Sequence, residues 1–211
     1  MNGRKIDQEG RYSYYPGTTV IAEISKHDHT FWRKIQQIIL QAEVVNNYYT
    51  PLPYDSYHMT AIRLFNQAEY TGNNWQKFII SQQFFFKNIA NYLQENQFLP
   101  QITIEKLNMA ETLNLQVSIP KQQEELILKT ANCFNIATKI PDPFHITLAY
   151  AYQVLNAELK KNMYSHINKS LNKLLAVHGN TFTLNAPQLY YYNDMTHFSL
   201  WHGKNYPFAK K

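Results

Sequence analysis

A chain of 211 residues with 45% apolar and 17% charged residues has a globular balance that does not fit a disordered chain, and one compact unit can accommodate it. Its single cysteine, Cys133, excludes an intrachain disulfide and a thiolate-based zinc site. The net charge of +5 is spread along the chain, ending in Lys210-Lys211, so it is compatible with a phosphate-bearing ligand but does not mark a nucleic-acid surface.

Residues 1–16 are polar, contain Gly3, Gly10 and Pro16, and read as an N-terminal arm with no apolar core of a signal peptide. Thr18 to Ile24 is rich in β-branched residues and predicts a strand. Phe31, Ile35, Ile38, Ile39 and Ala42 follow at helical spacing within Thr30 to Val45, with Asp28 or Thr30 as N-cap. Past the turn-forming Asn46-Asn47 and Pro51-Leu52-Pro53, Tyr57 to Phe65 predicts a second strand and Trp75 to Asn96 one helix. Ile102 to Met109 and Thr112 to Ile119 predict a hairpin turning at Ala110-Glu111. Pro120 then opens a helix from Gln122 to Ala137. A strand from Phe144 to Tyr152 and a helix from Ala157 to Val177, closed by Gly179, follow. Thr181 to Tyr191 predicts the last strand. The order β-α-β-α-β thus occurs twice, dividing near Ala110. We expect a 1–16 arm and a single bilobed domain over 17–211, with lobes at about 17–110 and 111–200.

Each half carries one His-x-Thr tripeptide in its second strand: His58-Met59-Thr60 and His145-Ile146-Thr147. Strand residues i and i+2 share a face, so each His projects with its Thr while Met59 and Ile146 turn into the core. Where the two strands face one cleft, two imidazoles and two hydroxyls converge. That set suits attack on a phosphodiester. One imidazole takes a proton from the nucleophile, the other gives one to the leaving oxygen, and the hydroxyls donate to non-bridging oxygens. The chemistry requires no metal.

The stretches Pro53-Tyr54-Asp55-Ser56-Tyr57-His58-Met59-Thr60 and Phe144-His145-Ile146-Thr147-Leu148-Ala149-Tyr150 resemble the signature pair of the two-histidine (2H) phosphoesterase superfamily, which includes RNA ligase/cyclic phosphodiesterases. Pro16 to Ile21 and Leu189 to Met195 resemble the first and last strands of one uncharacterised branch. The resemblance covers roughly residues 14 to 200. It implies an α+β, bilobed fold with two antiparallel sheets around a central groove and helices outside. It also implies His58 and His145 as catalytic, Thr60 and Thr147 as phosphate-binding, and no cofactor. The expected partner is a nucleotide or RNA phosphodiester, and the expected activity is metal-independent hydrolysis of a cyclic phosphate, of the 2′,3′-cyclic type. The alternatives are an RNA-processing or oligonucleotide-signal-degrading phosphodiesterase, or a non-catalytic nucleotide-binding module. No membrane association is expected, and the location is expected to be cytoplasmic.

Beyond the four motif residues, Tyr54, Tyr150 and Arg63 are groove candidates. Strict alternation turns Tyr57, Arg63 and Tyr150 away from the motif face. Arg63 reaches it only through a twist or bulge, Tyr150 stays open through a bulge or its place at a strand end, and packing is the better reading for Tyr57. His27-Asp28-His29 reads as a capped turn before a helix rather than a metal site. His197 and His202 could border the groove but suit surface or packing positions better.

Overall fold

The computed structural model describes residues 4–70, 72 and 74–208. Residues 1–3 of the arm and the Lys210-Lys211 pair lie outside the described residues.

Among the described residues, nine strands form one connected antiparallel sheet, curled into a half-barrel, with the order β7-β4-β5-β6-β3-β1-β8-β9 and β2 paired to β6. The strands are β1 (Gly17–Glu23), β2 (Tyr49–Pro51), β3 (His58–Asn66), β4 (Gln101–Met109), β5 (Thr112–Ser118), β6 (His145–Ala151), β7 (Thr181–Thr183), β8 (Gln188–Asp194) and β9 (His197–Leu200). The expected α+β architecture is present, and its two expected sheets appear as two wings of this path. They meet where β3 joins β6 through one ladder pair, Met59 with Ile146. Strand pairing interleaves the chain halves: β4 from the first half sits beside β5, while β8 and β9 from the second extend β1.

The helices are α1 (His29–Gln41), α2 (Glu43–Asn46), α3 (Trp75–Ser81), α4 (Gln83–Glu95), α5 (Lys121–Cys133) and α6 (Ala157–His178). Their apolar stripes bury Phe31, Trp32, Ile35 and Ile39 from α1, Phe86, Ile89 and Leu93 from α4, and Met163, Ile167 and Leu171 from α6. These join Met59, Ile146 and the other inward strand residues in one continuous core.

Several boundaries differ from the sequence expectation, most with a local cause. The predicted strand over 181–191 is two strands because Pro187 lacks the N–H a ladder needs, and β7 and β8 join opposite wings. The helix predicted to reach Ala137 stops at Cys133, ahead of Asn135 in the left-handed region at φ 56°. The helix predicted over 75–96 is divided at Gln82, whose φ and ψ of −93° and 6° leave the helical well. The helix predicted over 30–45 is likewise divided, with Ala42 at ψ 79°. Asp28 precedes α1 without a side-chain capping bond, and Ser25 instead accepts from the His27 N–H. β2 overlaps a segment that reads as a turn, and β9 lies beyond the last predicted strand. The end of α6 follows expectation: Gly179, at φ 79°, returns its N–H to the Leu175 carbonyl. No helix among the described residues is long and apolar enough to cross a membrane.

Candidate active site

The two His-x-Thr motifs lie on neighbouring antiparallel strands, and register relates their four side chains. Met59 opposes Ile146, so one step along each strand sets His58 opposite Thr147 and Thr60 opposite His145. Met59 and Ile146 are fully buried, and their alternation partners project to the other face. His58, Thr60, His145 and Thr147 line one cleft of about 400 Å³. At ladder spacing, directly opposed Cβ atoms are roughly 5 Å apart and diagonal ones about 7–8 Å. The imidazoles occupy one diagonal of this rectangle and the hydroxyls the other.

Both imidazoles are anchored alike. His58 Nδ1 is 2.7 Å from the Ser56 carbonyl, and His145 Nδ1 is 3.1 Å from the Pro143 carbonyl. A carbonyl only accepts, so each Nδ1 carries its proton and donates it. That leaves each Nε2 as the nitrogen available for proton transfer. Phe198 packs against the His58 ring with centroids 4.3 Å apart, and its other neighbour is Tyr192 at 5.2 Å. The His58 imidazole is pushed down to about 4, mainly by burial, with the charges of Lys5 and His145 acting in the same direction and the Ser56 carbonyl opposing them. It is therefore neutral near pH 7.

Arg63 and Tyr150 also line this cleft, against the rule of strict alternation, and the reason is the same for both. Pairing of β1 with β3 passes from Val20–Ile62 to Ile21–Thr60, so Ala61 is an extra residue. Pairing of β5 with β6 passes from Leu113–Ala149 to Asn114–Thr147, so Leu148 is extra. Each bulge places two consecutive buried residues, Ala61-Ile62 and Leu148-Ala149, after the motif threonine. The following residue, Arg63 or Tyr150, returns to the motif face. The two adjacent apolar residues are the sequence signal from which this could be read.

Tyr54 is not among the residues that line this cleft. It sits in a 3-10 turn outside the cleft, where its hydroxyl accepts from Arg33 at 2.8 Å and its ring meets His29 edge-on. Tyr57 is fully buried against Trp32, and burial pushes its hydroxyl up. His197 and His202 are exposed and absent from the cleft wall. Among the described residues no three His, Cys, Asp or Glu side chains gather as a metal site, and His27-Asp28-His29 forms a turn into α1.

Sequence reasoning missed other parts of the wall. Lys5 enters from the N-terminal arm, Lys139 from the 3-10 turn Ala137–Lys139, and Phe198 from β9. With Arg63, the two lysines give the cleft three cations, and Glu69 is the carboxylate on its rim. That balance favours an anionic ligand. None of the three carries a local sequence pattern, because long-range packing brings them there.

A family described as 2H-phosphodiest, a domain of unknown function (DUF1868), matches residues 5–123. That span holds the arm from Lys5 onward and the first His-x-Thr motif. The uncharacterized protein 127L of Invertebrate iridescent virus 6 is 25% identical over 226 aligned positions, covering 92% of each chain. Among solved structures, a conserved protein of unknown function from Agrobacterium tumefaciens is similar at a TM-score of 0.70 and 16% identity, over 94% of this chain and 90% of that one. Usb1 of Kluyveromyces marxianus with uridine monophosphate is similar at a TM-score of 0.47 and 7% identity, over 88% and 96% of the two chains.

Proposed function

The chain belongs to the 2H-phosphodiesterase family, and from that premise we propose that it is a metal-independent phosphodiesterase hydrolysing a cyclic phosphate or nucleotide phosphodiester, of the 2′,3′-cyclic phosphate type. The observation that carries this reading is the diagonal set of two imidazoles and two hydroxyls on one face of β3 and β6. A phosphorus centred between the diagonals has one Nε2 on each side, as in-line displacement requires.

His58 suits the base. It is neutral, its Nδ1 proton is held by the Ser56 carbonyl, and its Nε2 lone pair is free to accept. In the proposed step, His58 Nε2 takes a proton from water as the water oxygen bonds to phosphorus. The P–O bond to one ribose oxygen breaks, and His145 as imidazolium gives its Nε2 proton to that oxygen. The product is a phosphomonoester and a free hydroxyl. The two histidines finish with exchanged protonation and reset through solvent. Thr60 and Thr147 donate to the non-bridging oxygens, and Arg63 and Tyr150 act on the groove wall.

The test is turnover of 2′,3′-cyclic nucleotides, ADP-ribose 1″,2″-cyclic phosphate, cyclic dinucleotides and short RNAs with EDTA present. The proposal expects hydrolysis that chelator leaves intact and that His58→Ala or His145→Ala abolishes in a folded protein. Activity that disappears with EDTA refutes metal independence, and folded, fully active histidine variants refute the mechanism.

A further inference from the structure

The N-terminal arm is a folded hook. Ile6 bridges Tyr12, the Ser13 N–H donates to the Lys5 carbonyl at 3.1 Å, and the Asp7 N–H to the Arg11 carbonyl at 2.9 Å. The Asp7 carboxylate closes the turn by accepting from the Glu9 and Arg11 N–H groups at 3.0 and 2.8 Å. Asp7 and Glu9 also take up the Arg11 guanidinium. The hook is fastened to the sheet. Ile6 is buried, Tyr12 Oη donates to the Thr50 carbonyl at 2.9 Å, and Thr50 Oγ1 donates to the Gly10 carbonyl at 2.6 Å. Further on, the Tyr15 N–H donates to the Asn193 carbonyl at 2.7 Å. The arm therefore spans from β8 in one wing to β2 in the other.

This seating places Lys5 in the cleft wall with His58, His145, Thr60 and Thr147. Its half-buried ammonium donates to Tyr150 Oη at 3.3 Å and lies 5.1 and 5.8 Å from the rings of Tyr150 and Tyr15. The ion pairs among the described residues both belong to Arg11, and neither involves Lys5. An ammonium has three donors, and desolvating one without an anion is costly. The hook thus holds a cation ready for an anion beside the motif residues.

We propose that Lys5, held in the cleft by the hook of residues 5–13, binds a phosphate oxygen of the substrate and makes the arm part of the active site. The proposal rests on the phosphodiester reading and adds a charge that neither His-x-Thr motif supplies.

Titration calorimetry of the full chain with inorganic phosphate and with adenosine 3′-monophosphate tests it, with thermal melts run in parallel. Lys5→Met is expected to weaken both probes roughly tenfold or more at unchanged Tm, because a charge-assisted hydrogen bond is lost. Lys5→Arg is expected to retain most of the affinity. Gly10→Val keeps the lysine side chain itself, but its added Cβ meets Thr50 Oγ1 at 2.9 Å from a backbone at φ 80°, so the hook is unseated and affinity is expected to fall as well. Wild-type affinity in Lys5→Met overturns the proposal. So does equal loss in Lys5→Met and Lys5→Arg with a fallen Tm, which marks a purely structural lysine. If the wild-type chain binds neither probe, the phosphodiester reading falls with it. Binding that Lys5→Met leaves untouched while His58→Ala abolishes turnover removes the role of Lys5 alone.

Discussion

Acidification should weaken this protein through His58. The imidazole is pushed down to about 4 from an ordinary 6.5, mainly by burial in the cleft wall under Phe198. The unfolded chain therefore binds a proton at His58 between pH 6.5 and 4 while the folded chain does not. Stability rises with pH where the unfolded state holds more protons, so this contribution is fully present above pH 6.5 and is lost as pH falls through 4. The gap between 6.5 and about 4 is worth about 3 kcal/mol. Urea denaturation of the wild-type chain and His58→Asn at several pH values from 4 to 7 measures it. The wild-type-minus-variant difference should fall by about 3 kcal/mol across this window. Taking the difference cancels carboxylate contributions common to both proteins. The acid limb of kcat/KM should likewise lie near 4 rather than 6.5. A stability difference that is flat with pH, or an NMR titration of His58 centred near 6.5, refutes the reasoning.

Thr60→Val and Thr147→Val should each lower kcat/KM roughly 10- to 100-fold while circular dichroism stays unchanged, since each removes one donor from the phosphate site. Wild-type kinetics in both would remove the hydroxyls from the mechanism. Ile146→Ala empties a fully buried position beneath the seam between the wings and should cost about 2–5 kcal/mol in denaturant melts, more than the exposed Val177→Ala. Gly203 has φ 72°, and an added Cβ would meet the Lys87 backbone nitrogen at 2.3 Å. Gly203→Ala should therefore lower Tm, and an unchanged melt would show that the C-terminal segment does not rest on α4.

Much of the fold and the centre of the candidate site are legible in the chain because they depend on short periods. The 3.6-residue spacing of Phe31, Ile35 and Ile39 specifies a helix face, and the period of two puts His58 with Thr60 and His145 with Thr147 wherever their strands lie. Failures of the same rules were also local. Pro187 breaks a strand, and Ala61-Ile62 and Leu148-Ala149 mark bulges that restore Arg63 and Tyr150 to the motif face. Tyr54 shows the limit of proximity in sequence, since a 3-10 turn four residues before His58 is enough to direct it to Arg33.

Only the tertiary structure decided the rest. Pairing of Met59 with Ile146 sets the imidazoles on one diagonal, and no local preference encodes a register between strands 87 residues apart. Lys5 and Phe198, from opposite ends of the chain, become neighbours of His58 through the hook and the β8–β9 hairpin. Side-chain direction along a strand is set by adjacent residues and can be read from them. Which strands meet, and which distant cations face the gap between them, is set by burying one shared core, and that is a property of the whole chain.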